Sequence, residues 1–376
     1  MFMTLRKPAT LVALLLLGTS PLYAQGGGTP EARAARAAEA QKQLALEASL
    51  PKLEFTEQVL PLRIPDHTLG ETEGVSMNAA GHLFVYSRTG KGGSARGGTA
   101  AELYEFGPAP DYKFVKQWLP DQYGASFAHS VRVDKDQNVW IVDEGSGMVI
   151  ESKPNGDLVK ELGRKPEAID YLESYLERGE KVTERHPVGT MGTFNRPTDI
   201  AWAPNGDFFV SDGYGNSRAV KIAKDGTWLK AVGTYGSGPQ QFNTPHGIEV
   251  SNDGIVYVTD RANNRVQAFT LEGKFLKEGF IKRESQGTGT AFGVGLSADP
   301  AQRFLYIADG SNERIAILDR TSLEEIGHIG GPGRKAGEFF HLHSLDVDPQ
   351  GNIVTGESQG YRVQKFIFKG LLTAAR

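Results

Sequence analysis

The chain has 376 residues, a formal charge of −4 and no cysteine, alongside 46 glycines and 19 prolines. A slight acidity argues against a nucleic-acid or membrane-surface binder, since both need a positive field over the contact surface. The lack of cysteine excludes disulfides, thiolate metal sites, iron–sulfur clusters and thiol catalysis, and glycine above the usual ~7% points to a turn-rich β protein.

The chain opens with an address. Arg6 and Lys7 precede the apolar run from Leu11 to Leu17, and Gly18, Thr19, Ser20 and Pro21 lead to Ala24 before Gln25. A short basic region, an apolar core shorter than the ~20 residues of a bilayer span and a small residue at the junction are expected of a secretory signal peptide. Residues 1–24 are therefore expected to be removed, leaving an exported bacterial protein, periplasmic or secreted, without a membrane span. Residues 25–52, rich in Ala, Gly and Glu, read as a linker with some helix.

From 53 to 370 the sequence repeats. One copy runs Pro197-Thr198-Asp199-Ile200-Ala201-Trp202, Asn205-Gly206-Asp207, Phe208-Phe209-Val210-Ser211-Asp212; the next runs Pro245-His246-Gly247-Ile248, Asn252-Asp253-Gly254, Ile255-Val256-Tyr257-Val258-Thr259-Asp260. Each reads as a strand, an Asn/Asp-Gly turn, a second strand ending in Asp, a third strand introduced by Asn and Arg, and a fourth strand. Aligned on their first strands, six copies give the column Glu73, His129, Thr198, His246, Phe292 and His343. The two longest gaps hold insertions, a Gly-rich one near 89–101 and one at 164–192 with a helix expected around Glu167–Glu177. Four-stranded repeats of ~40–50 residues define a β-propeller, and six copies make six blades. The run from Phe55 to Leu60 has a strand pattern without a blade of its own and is expected to complete the last blade, hiding two sheet edges.

First strands line a propeller's channel, so the column becomes a ring around the axis. His129, His246 and His343 fall on blades two, four and six, so three imidazoles should converge with a further position open, the ligand pattern of a catalytic zinc site. Copper, iron, nickel and cobalt also accept three nitrogens. His341, two residues before His343, should project the same way, as a further ligand or a hydrogen-bonding neighbour that binds substrate. His67, His82, His186 and His328 read as surface residues. A second column, Ser87, Asp143, Asp212, Asp260, Asp309 and Glu357, recurs in nearly every blade and reads as turn-stabilising acceptors. Just beyond it, Arg88 and Arg261 break the pattern and can grip a carboxylate at the channel mouth. Tyr214, in Gly213-Tyr214-Gly215-Asn216-Ser217-Arg218, can act as a base if a metal and an arginine lower its pKa.

These residues resemble peptidyl-α-hydroxyglycine α-amidating lyase, a six-bladed propeller of NHL-type repeats. The resemblance lies in Ala128-His129-Ser130-Val131 through Asp143, Phe194-Asn195-Arg196-Pro197-Thr198-Asp199 through Arg218, and Gln241-Phe242-Asn243-Thr244-Pro245-His246 through Asn263. It implies zinc on His129, His246 and His343, Tyr214 as the base, Arg88 as an active-site arginine and Arg261 at the mouth. The reaction it implies breaks the C–N bond of a C-terminal α-hydroxyglycine to give an amide and glyoxylate. It further implies a structural calcium on the axis, held by the carbonyls of Val75 and Val131 and by an Asp after the last histidine. Ser344 stands in that position here, which removes the charged ligand. With no monooxygenase domain to make the hydroxyglycine, the substrate is expected to be a small molecule or a peptide supplied from elsewhere. The opposing reading is a non-catalytic propeller that binds a peptide, glycan or protein partner. A lactonase or streptogramin-lyase-like propeller is a third, disfavoured because such sites use more carboxylates than this column offers. The oligomeric state is open.

Overall fold

The computed structural model describes residues 29–49, 53–66, 68–88, 101–120, 122–164 and 191–371. The expected signal peptide, nearly all of both insertions, the helix around Glu167–Glu177, and His67 and His186 lie outside the described residues. Pro30–Ser49 is one helix, and among the described residues no helix is long and apolar enough to cross a membrane.

Six antiparallel sheets of four strands follow one another along the chain and form a six-bladed propeller. Their first strands are Glu71–Met77, Ala128–Val133, Pro197–Trp202, Pro245–Val250, Ala291–Leu296 and Leu342–Val347, and these pack side by side into a closed ring. Closure uses the N-terminal segment as expected. Leu53–Val59 pairs antiparallel with Arg362–Leu371, so the last blade combines the two ends of the ring.

The blades adhere through six apolar clusters, one at each junction. Tyr86, Leu103 and Trp118 of blade one meet Val131, Ile141 and Ile150 of blade two, and Leu60, Val75 and Tyr104 meet Val354 and Val363 where blade six returns to blade one. Both faces of every sheet are thus covered near the axis, and the second strands read as nearly continuous apolar runs because of it.

The second column behaves as a turn device. Asp143 accepts the backbone N–H groups of Ser126, Phe127 and Ser146, and Asp212 accepts that of Asn195. In blades three to six the acid also pairs with the arginine that opens the third strand: Asp212–Arg218, Asp260–Arg265, Asp309–Arg314 and Glu357–Arg362, at 2.7–2.9 Å.

Candidate metal centre

Strand pairing explains why the column points inward. In every blade the register between first and second strand slips at the column residue: between Thr72 and Gly74, Ala128 and Ser130, Pro197 and Asp199, Pro245 and Ile248, Ala291 and Val294, and Leu342 and Ser344. A β-bulge adds an unpaired residue and re-aims its side chain. Six bulges therefore turn Glu73, His129, Thr198, His246, Phe292 and His343 towards the channel, all of them buried.

The three histidines do converge. Their donor atoms lie within 4.8 Å of one another. The ring nitrogen Nδ1 of His129 donates to the Thr198 carbonyl at 2.5 Å, and that of His343 donates to the Glu73 carbonyl at 2.8 Å. The His246 ring is hydrogen-bonded to the Phe292 backbone. Each imidazole is thus anchored to the column residue of the following blade. A carbonyl only accepts, so the Nδ1 atoms carry the protons and the Nε2 atoms present lone pairs. The Nε2 atoms of His129 and His246 face each other at 3.2 Å, an arrangement that suits a shared cation and is repulsive without one. Burial pushes all three rings well below the usual histidine pKa, His343 to about 3. Neutral imidazoles with fixed tautomers are the form that binds a metal, so the residues fit the implied group.

Tyr214 stands over this centre because of the glycines beside it. A Cβ at Gly213 would lie 1.7 Å from the Pro245 carbonyl oxygen, and only that close approach brings the loop onto the neighbour of His246. The Tyr214 hydroxyl faces His246 Nε2 at 3.0 Å and accepts a hydrogen bond from Arg261 Nη1 at 2.8 Å. Without a metal, burial pushes the phenol up, and Arg261 only partly offsets this.

Arg88 and Arg261 differ sharply. Arg88, the last residue of Leu83–Arg88, meets Glu73 at 3.1 Å, Glu71 at 3.2 Å and Glu144 at 3.3 Å, and donates Nε to the Ala128 carbonyl. Arg196 also pairs with Glu144. Arg261, which begins the short 3-10 turn Arg261–Asn263, donates Nε to the Thr288 carbonyl, lies 4.2 Å over the Phe292 ring and has no carboxylate partner among the described residues. Arg261 is the cation with capacity for an incoming anion.

His341 does not join the centre. It precedes the strand with φ 59°, so the alternation that would aim it alongside His343 does not apply. Its ring packs on Phe292, and its Nδ1 meets the Ser358 hydroxyl at 3.0 Å. His82 is half-buried beside Glu105, and His328 is exposed.

Sequence reasoning placed Glu73 in the column but gave it no role. Its carboxylate is 1% exposed and lies 3.0 Å from His343 Nε2 and 3.1 Å from Arg88. A fourth ionisable residue in an otherwise histidine-bearing column was the available signal. Glu71 and Glu144 add two further carboxylates at the mouth from outside the column.

Calcium, whose charged ligand Ser344 already replaces, meets a second obstacle on the axis. Val75, Val131 and Ser344 line a cavity of about 20 Å³ beneath the histidines, and Arg132 lines it too. The Arg132 guanidinium binds Asp199 through two bonds of 3.0 and 2.7 Å and donates to the Leu345 and Val294 carbonyls. A permanent cation already engages the inner-strand carbonyls, and Ser344 supplies no charge, so these residues do not fit calcium.

Fold and centre together define a six-bladed propeller with three convergent histidines on alternate blades. Residues 242–269 match the NHL repeat family model. The chain is similar to NHL repeat-containing protein 3 of Homo sapiens, 25% identical over 81% of both chains. It is also similar to a probable peptidyl-alpha-hydroxyglycine alpha-amidating lyase of Caenorhabditis elegans, 27% identical over 57% of this chain and 59% of that one. The alignment spans less than two thirds of the nematode protein. Among solved structures a streptogramin B lyase superposes with a TM-score of 0.54 over 84% of this chain and 98% of its own, at 13% identity, a likeness of fold.

Proposed function

We propose that this chain is an exported, metal-dependent carbon–nitrogen lyase, with zinc as the leading metal, that converts an α-hydroxyglycine-type carbinolamide to an amide and glyoxylate. The observation that carries the reading is the fixing of the imidazole rings by the next blade's backbone, which turns their Nε2 lone pairs towards one common point. Similarity to the nematode lyase supports the reaction class. When bound, the metal supplies Lewis-acid polarisation of the substrate hydroxyl.

The protein's residues do the rest. Arg261 holds the substrate carboxylate. Tyr214, as phenolate, takes the hydroxyl proton at its Oη; the C–O double bond forms as the C–N pair moves to nitrogen, and Tyr214 returns the proton to the leaving amide. A phenol is protonated at neutral pH and burial pushes this one further up, so its service as a base depends on the cation beside it. Arg88, enclosed by three carboxylates, is a positioning residue for the mouth.

The test is elemental analysis of the mature protein beside His129→Ala, His246→Ala and His343→Ala, followed by glyoxylate release from a hydroxyglycine peptide. About one metal ion per wild-type chain, lost in each folded variant together with turnover, is the expected result. Metal-replete protein that retains none would overturn the lyase. The second reading, a propeller that binds a peptide, glycan or protein partner, draws on the match to a relative named for its repeats alone. It expects ligand affinity that survives His246→Ala.

A further inference from the structure

Two pairs of acceptors face each other around the channel axis. One is His129 Nε2 with His246 Nε2 at 3.2 Å; the other is His343 Nε2 with Glu73 Oε2 at 3.0 Å. His343 has committed its Nδ1 proton to the Glu73 carbonyl, so the second pair sets a lone pair against a carboxylate oxygen. Glu73 Oε1 has the Arg88 guanidinium as counter-ion at 3.1 Å, whereas Oε2 faces His343 Nε2, and the side chain is only 1% exposed. Buried carboxylates normally find donors or a cation. Donors bound ~2.0–2.2 Å from one tetrahedral zinc stand roughly 3.4 Å apart; these two separations are near that, and the three histidine donors lie within 4.8 Å of one another, so the four donors would have to draw in around an ion.

We propose that Glu73 is the fourth protein donor to the metal held by His129, His246 and His343, making the centre a three-histidine, one-carboxylate site. The inference rests on the metal reading above and deepens it. Glu73 occupies the column position on blade one, between the blades that carry His343 and His129, and its bulge aims it as theirs aim the histidines. Arg88, 3.1 Å away on the side of Glu71 and Glu144, plays the part of the outer partner that orients a ligating carboxylate. A carboxylate on the metal would lower the charge of the centre, and a substrate entering beside Tyr214 and Arg261 would then have to add as a fifth donor. The carboxylate also widens the metals that suit the site, since oxygen donors favour manganese and iron more than imidazole alone does.

The test compares wild type with the isosteric Glu73→Gln, both stripped of metal and titrated with zinc against a chromophoric chelator, and both loaded with cobalt(II) for absorption spectra. Glu73→Gln is expected to lose more zinc affinity than the roughly ten- to hundredfold typical of an outer partner and to show a changed cobalt spectrum, because the coordination number falls. A crystal structure of zinc-loaded wild type, which depends on no variant, is expected to show a Glu73 oxygen ~2.0–2.2 Å from zinc. Equal zinc affinity with an unchanged cobalt spectrum, or a Glu73 oxygen more than about 3 Å from bound zinc, would overturn the proposal and leave the three-histidine reading intact. Wild type that binds no metal would overturn both.

Discussion

At the scale of single residues, the mouth separates two arginines that look equivalent in sequence. Arg88 is neutralised by its carboxylate neighbours, whereas among the described residues Arg261 has only carbonyl, hydroxyl and ring partners. Arg261→Gln is therefore expected to raise KM for a substrate with a free carboxylate and to leave KM for its neutral ester little changed. An equal rise for both would remove Arg261 from anion binding. Tyr214→Phe keeps the ring and removes the proton-carrying atom, so kcat is expected to fall by about 10²–10⁴-fold with KM nearly constant. Turnover within a few-fold of wild type would mean another group takes the proton. The histidines were legible in the sequence because a repeat aligns positions that the fold makes equivalent. Glu144 was not legible as a partner of Arg88 and Arg196, because that pairing joins blades whose separation no periodicity reveals. The direction of His341 was not legible, because its own left-handed backbone breaks the alternation on which that direction depends.

At the scale of elements, the repeated acid at the end of the second strand does two things. It satisfies backbone N–H groups of the preceding loop, and in blades three to six it pairs with the arginine that opens the third strand. Arg218 and Asp212 are both fully buried, and Arg218 also donates to the Thr193 carbonyl. Breaking such a pair from one side costs about 3–5 kcal/mol, because the remaining charge stays buried. Arg218→Met is expected to lose that much stability in urea unfolding, and adding Asp212→Asn is expected to restore part of it by removing the stranded charge. A single variant within about 0.5 kcal/mol of wild type would show that Asp212 is satisfied by its other donors. The strand, turn and acid pattern was readable because each piece is local: Asn-Gly and Asp-Gly fix the hairpins, and period-two apolar runs fix the faces. The bulges were not, since a one-residue slip between paired strands leaves no mark on either strand alone.

At the scale of the whole molecule, a ring of six blades must close at its circumference and stay together at its axis. The circumference is closed by Leu53–Val59, an N-terminal strand seated on the C-terminal one, and the unmatched strand pattern of that segment announced it. The axis is held differently. Arg132 extends from blade two and reaches Asp199 on blade three, Val294 on blade five, and Leu345 and Asp346 on blade six. One guanidinium thus bridges four blades where the lyase resemblance implied calcium. Sequence could not show this, because nothing local tells a long side chain which way it crosses a channel. If Arg132 is the axial cation, the wild-type melting temperature should be the same with calcium and with a calcium chelator. Arg132→Leu should leave Asp199 and Asp346 facing an apolar group, lower the melting temperature, and make it respond to calcium. Binding at a hundred times its Kd returns about 2.7 kcal/mol of stability. A wild type that melts earlier once calcium is removed would show that the ion binds despite the arginine. An Arg132→Leu variant as stable as wild type, with or without calcium, would show that the blades need no cation at the axis.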